Sequence, residues 1–109
     1  MPIITWDTAE YVSHGDPESY AKRFINEKCG AKKLEMHVSV VGPGKRAHAP
    51  HKHGGEEIIF ILSGEATVTI EGKKEKVSSN TAIFPPPGVL HGIENSGDEP
   101  LKYMIIRTK

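Results

Sequence analysis

Four side chains of the kinds that bind transition metals stand in two short stretches, HKHGGEE and PPGVLH: His51, His53, Glu57 and His91. In extended chain, alternate residues point the same way, so His51 and His53 present two imidazoles to one side while Lys52 faces the other. Glu57 follows a pair of glycines, whose conformational freedom allows a tight turn that returns a carboxylate over the same cavity. His91 lies just beyond the run Pro85–Pro87, where a stiff backbone sets its angle of approach and a fourth ligand arrives without a large ordering cost. Three imidazoles and one carboxylate suit a single divalent ion of Mn, Fe, Co, Ni, Cu or Zn better than Ca or Mg.

The chain carries 6 histidines, and His48, His51 and His53 crowd into one loop. A bare cluster of this sort is also what a solvated loop or a tag remnant would present, so position has to decide between the readings. Buried singly, a histidine is more often satisfied by hydrogen bonds than by a metal, and His14 carries only that reading. His48, on the approach to the cluster, could be a fifth ligand or an acid/base group beside the metal but reads as solvated, and Glu56 reads as surface charge.

The elements that must position these groups are strands. Leu34, Met36, Val38 and Val40 alternate with Glu35, His37 and Ser39 up to the turn Gly42-Pro43-Gly44, the signature of a half-buried strand. EEIIFILSG and EATVTIEG read as a hairpin about Ser63-Gly64, with Glu71-Gly72 turning the second run into KKEKV, so that a meander of antiparallel hairpins is expected. Thr81 to Phe84 is a short strand ended by the prolines, and LKYMIIR is the last strand. Residues 16–30 conflict. Asp16 as N-cap, Pro17 at the first helical position, a stripe of Tyr20, Ala21, Phe24 and Ile25 and a closing Gly30 favour a helix on propensity, whereas YAKRFIN and KKLEMHVSVV also read as paired strands.

Both metal-binding stretches resemble the two motifs of the cupin family. HKHGGEEIIFILSG is similar to the first, H-x-H followed by Glu and then Gly, with His51, His53, Glu57 and Gly64 in register. PPGVLHGIEN is similar to the second, P-x-G, then His, then Asn, with Pro86, Gly88, His91 and Asn95 in register. Two departures touch no ligand: the glycine before the first histidine, Gly44, is displaced by one position, and the second motif opens on Asn80 in place of glycine, a residue that tolerates a left-handed turn. The resemblance spans residues 33–107. It implies an all-β fold, a single antiparallel β-barrel or jelly roll, over one domain of residues 1–109, with an N-terminal arm of strands at 1–32 and the barrel core at 33–107. It also favours strands over a helix for the ambiguous stretch.

Composition agrees with one domain. A chain of 109 residues supports a single core. Its 14 basic and 14 acidic residues cancel, with no block that would track a phosphate backbone or an anionic membrane, so no nucleic acid and no membrane is expected as a partner. MPIITWDTAEY carries no basic leader before an apolar run, and one cysteine, Cys29, can form no internal disulfide; the expected compartment is the cytoplasm. Ile58, Phe60 and Leu62 alternate with Glu57, Ile59 and Ile61, leaving that strand apolar on both faces. Its outer face needs a cover, either the N-terminal segment or a second copy, and a homodimer is expected.

Four protein ligands on an ion that accepts six leave adjacent positions for a small oxygen-bearing substrate. The resemblance implies an oxygenase, isomerase, decarboxylase or lyase acting on a small organic acid or sugar derivative. The alternative is a non-catalytic cupin that stores metal or senses a small ligand. His37, opposite the Met36–Val38–Val40 face, and Tyr103 and Arg107, on one face of the last strand, are expected to line the cavity and select substrate if those faces look into the barrel.

Overall fold

A computed structural model describes residues 1–52 and 54–109 of the chain. Among the described residues nine strands follow one another: β1 (Glu10–Asp16), β2 (Ser19–Ile25), β3 (Leu34–Val41), β4 (Glu57–Ser63), β5 (Ala66–Ile70), β6 (Lys73–Val77), β7 (Thr81–Ile83), β8 (His91–Asn95) and β9 (Leu101–Thr108), with a 3-10 turn at Glu27–Cys29. They form a six-stranded antiparallel sheet in the order β1-β2-β3-β9-β4-β7 and a three-stranded sheet in the order β6-β5-β8. The fold is the expected all-β barrel of jelly-roll type.

The core lies between the two sheets. Val41, Ile59, Ile61, Leu101, Tyr103 and Ile105 of the large sheet meet Ala66, Val68 and Ile93 of the small one. Ile59, Ile61 and Leu101 are essentially fully buried, and each such side chain contributes about 1.5–3 kcal/mol relative to exposure. The register carries every second residue of the large sheet inward: Glu57 and Glu35 flank Arg107, while His37 stands between Arg23 and Ile105.

Residues 16–30 resolve as strands. β1 and β2 form a hairpin in which the Asp16 carboxylate accepts from the Glu18 amide at 2.9 Å, so Asp16 closes a turn and caps no helix. The helix-like stripe has a strand origin. Tyr20 and Phe24 face out beneath Trp6, while Ala21 and Ile25 alternate onto the cavity side with Arg23 between them. Gly30, at φ 101°, ends only the 3-10 turn.

One expected hairpin does not form. β4 and β5 belong to different sheets, so Ser63-Gly64 is a crossing between layers. Gly64 sits at φ 93°, and a Cβ there would lie 2.7 Å from the Pro100 carbonyl, so the crossing admits only glycine. Local alternation identified both strands correctly but could not say that β9 and β7 outcompete β5 as partners of β4. The hairpin at Glu71-Gly72 does form, joining β5 to β6 with both turn residues at positive φ. Asn80 also takes a left-handed conformation, φ 62°, where glycine would be the usual choice.

Candidate metal centre

His51, Glu57 and His91 come together, with one ligand atom of each within 4.8 Å of the others. Glu57 and His91 are buried, and His51 is half-buried at the edge. His53 lies outside the described residues, so its expected place as fourth ligand is not addressed by this arrangement.

Each ligand has its own support. Glu57 opens β4, directly after a chain segment clamped to the end of β9: the Thr108 amide donates to the Glu56 carbonyl at 2.9 Å, and the Glu56 amide to the Thr108 hydroxyl at 3.0 Å. Gly55 runs so close to the Thr108 carbonyl that any Cβ would collide with it. His51 lies outside the named strands, and whether it shares an extended segment with His53 falls outside the described residues. It makes a single antiparallel bridge to His91, each amide donating to the other's carbonyl at 2.9 Å. Gly92 lets Pro50 pack against this bridge. The proline elbow does its expected work: Pro85 is buried, the Val89 amide closes a turn onto the Pro86 carbonyl at 3.2 Å, and His91 follows as the first residue of β8.

The hydrogen bonding around His91 tests whether these groups suit a cation. Its Nδ1 lies 3.0 Å from the Val89 carbonyl, which can only accept, so Nδ1 carries a proton and Nε2 is the nitrogen turned toward Glu57. That nitrogen sits 2.8 Å from Glu57 Oε2. A shared proton or a metal ion satisfies such a pair, and two imidazoles and a carboxylate gathered at one place are a donor set that suits a divalent transition ion. The donor set therefore fits a transition metal.

A cavity of about 280 Å3 adjoins the triad, lined on the inner face of β1, β2, β3 and the end of β9 by residues that include His14, Arg23, His37, Ser39 and Arg107. His48 lies on its rim and touches His51 through a contact of the two Nδ1 atoms at 3.1 Å, joining cavity to triad. His48 is exposed, as expected, yet its contact with His51 also keeps it beside the triad, the alternative place that the sequence offered for it. Burial, with the Arg107 guanidinium second, pushes the His37 imidazole down to about 4, so His37 is neutral near pH 7. Of the three residues expected to line the cavity, His37 and Arg107 do. Tyr103 does not: it is 2 % exposed inside the core, its hydroxyl bonded to Ser39, and burial pushes it up to about 12. Arg23 had no distinguishing signal while its segment was ambiguous; once β2 is a strand, alternation with Ala21 places it on the cavity side.

A family model described as Cupin domain matches residues 37–107, which include every described member of the triad. The chain is a cupin. It is 37 % identical over 104 residues to an oxalate-binding protein of Thermotoga maritima, covering 94 % of this chain and 86 % of that one. It also matches an uncharacterized protein of Methanocaldococcus jannaschii, 42 % identical over 55 residues, and a mannose-1-phosphate guanylyltransferase of Salmonella typhimurium, 38 % identical over 68 residues. Of these two, however, this cupin spans only 44 % and 14 % of the length. Among solved structures, a predicted oxalate decarboxylase of Thermotoga maritima superposes with a TM-score of 0.82 at 25 % identity, covering 97 % of both chains. The polyketide cyclase RemF of Streptomyces resistomycificus has a TM-score of 0.83 at 22 % identity over 99 % of this cupin and 79 % of that chain, a likeness of fold alone.

Proposed function

We propose that this cupin holds one divalent transition metal on His51, Glu57 and His91, with His53 as the fourth ligand, and that it is an enzyme acting on a small organic acid or sugar derivative. The convergence of His51, Glu57 and His91, with one ligand atom of each within 4.8 Å of the others, carries the reading, because two imidazoles and a carboxylate at one place are a transition-metal donor set. When bound, the metal would supply Lewis acidity to a substrate oxygen. The chain's own residues do the remaining work. His37, neutral and half-buried, can donate or accept a hydrogen bond from the cavity wall, and Arg107 can orient an anionic group beside Glu57. An oxygenase, isomerase, decarboxylase or lyase would each use such a site.

Metal-loaded protein tests the reading when offered panels of organic acids and sugar derivatives, with oxygen uptake, carbon dioxide release and isomer composition followed together. Turnover that requires metal and disappears in His91→Ala is the expected result. A second reading, binding without turnover, is favoured by the relative in Thermotoga maritima that is described as an oxalate-binding protein. Tight metal-dependent binding across the panel with no product of any kind would replace the enzyme by a sensor or carrier.

A homodimer belongs to the same proposal. Trp6 packs over Tyr20 and Phe24, and the Lys102 ammonium lies 4.4 Å from its ring centre, so the N-terminal arm covers one part of the outer sheet face. Beyond the arm, Ile58, Leu62 and Phe84 remain 42 %, 36 % and 53 % exposed, an apolar patch that a second copy of the same sheet would bury. Sedimentation equilibrium of the same preparation should give twice the 12.0 kDa chain mass; a single chain mass at micromolar concentration would remove the dimer.

A further inference from the structure

We propose that the cavity beside the triad is an oxyanion site, and that the ligand of this cupin is two-ended: one oxygen group reaches the metal centre while a second anionic group, a carboxylate or a phosphate, is gripped by Arg107 and Arg23. This rests on the metal reading above and adds the class of ligand to it.

The charges on the cavity wall point this way. Two guanidiniums, Arg23 and Arg107, face one lining carboxylate, Glu35, and the other polar walls are His14, His37, His48, Ser39 and Asn26. Arg107 spends its Nε–H on Glu35 at 3.1 Å, and a guanidinium offers five N–H donors in a flat fork suited to a carboxylate or phosphate. Arg23 meets Glu10 at 3.6 Å across an exposed surface, a loose pair that is worth little and readily exchanged. His37 stands between the two arginines' rows without adding charge, since burial keeps it neutral, and so offers hydrogen bonds to an anion's remaining oxygens. On metal binding the Glu57 carboxylate would be neutralised by the ion, leaving the wall next to Arg107 with an excess of positive charge.

Register supplies the length. Arg107 is directly opposite Glu57 on the neighbouring strand, and Arg23 lies on the second strand beyond Arg107. With strands spaced about 4.8 Å apart, the grip begins on the order of 5 Å from the ligand carboxylate and extends roughly another 10 Å. The cavity, about 280 Å3, is at the small end of ligand sites, which run from about 300 to 1,000 Å3. Short dicarboxylates and phosphorylated hydroxy acids fit that volume and carry their second anionic group to the near end of the grip at Arg107, where the long Arg23 side chain can close on it from the far end; single-ended acids leave the arginines unmet.

The experiment compares ligands matched in length by calorimetric titration of the metal-loaded full chain, with metal content measured in parallel. Succinate against butyrate isolates a second carboxylate, and 3-phosphoglycerate against glycerate isolates a phosphate. The two-ended member of at least one pair should bind about tenfold or more tightly than its partner, and the pair showing the preference identifies the anion. Arg107→Gln and Arg23→Gln should each erase most of that preference while metal content stays unchanged, and lysine at either position should restore part of it. Full metal loading with no preference in either pair, or a preference that survives both glutamine variants, overturns the two-ended ligand and leaves the metal reading standing. A chain that takes up no metal overturns both together.

Discussion

His91→Ala is expected to strip the proposed metal from this cupin while leaving it folded. The histidine is one of the three described residues that could ligate, and the Val89 carbonyl 3.0 Å from Nδ1 turns Nε2 toward the site. Loss of a group that merely orients a ligand typically costs 10- to 100-fold in affinity, so loss of the ligand itself should cost more than about 100-fold. The backbone bridge between positions 51 and 91 does not depend on the ring, because each amide donates to the other's carbonyl at 2.9 Å. Competition for Co2+ against a chromophoric chelator measures the loss, and circular dichroism confirms the retained sheet. Glu57→Gln should fall between wild type and His91→Ala: the amide keeps a neutral oxygen ligand but removes the negative charge. Wild-type affinity in the alanine variant would end the case for a metal centre at this place.

How far the sequence reached depended on whether a feature was local. Alternation marked β3, β4, β5 and β9 because each has one face toward the core, and the proline elbow before His91 was legible because three ring-locked residues leave few conformations. Partner choice between strands was not legible. Nothing in EEIIFILSG says that β4 pairs with β9 and β7 instead of β5, since that depends on core packing between layers. Residues 20–25 read both ways for a specific reason: Tyr20 and Phe24 lie on one face of the strand and Ala21 and Ile25 on the other, yet the same four positions share one face of a helix, and only the resemblance favoured the strand. The triad was readable as residue types and spacing, yet the support of Glu57 by Thr108, more than fifty positions away, has no local signal. The same holds for Arg23, whose side of the sheet is defined only once its segment is known to be a strand.

Asn95→Ala should be the most destabilising single change away from the triad. The residue closes β8, the strand that His91 opens, and its side chain is 1 % exposed. Its Nδ2 donates to the Val41 carbonyl at 2.9 Å and to the Glu99 carbonyl at 2.8 Å, and its Oδ1 accepts from the Gly97 amide at 2.9 Å. One amide thus ties together the end of β3, the turn 96–99 and the end of β8. Alanine leaves the buried Val41 carbonyl unpaired, at about 1–3 kcal/mol, and forfeits two part-buried bonds at about 0.5–1.5 kcal/mol each, so a loss of about 3 kcal/mol is expected. For a domain of this size that lowers Tm by more than about 10 °C. Asn95→Asp separates the contributions. It keeps an acceptor for Gly97 but turns a carboxylate oxygen on the two carbonyls, so it should be no more stable than alanine if the donated bonds dominate. Thermal unfolding reads both variants, and a fall of only a degree or two in Asn95→Ala would show the three loops to be held by other contacts. Metal uptake by the folded fraction at low temperature should be unchanged in either variant, because Asn95 holds the far end of β8 and touches none of the ligands.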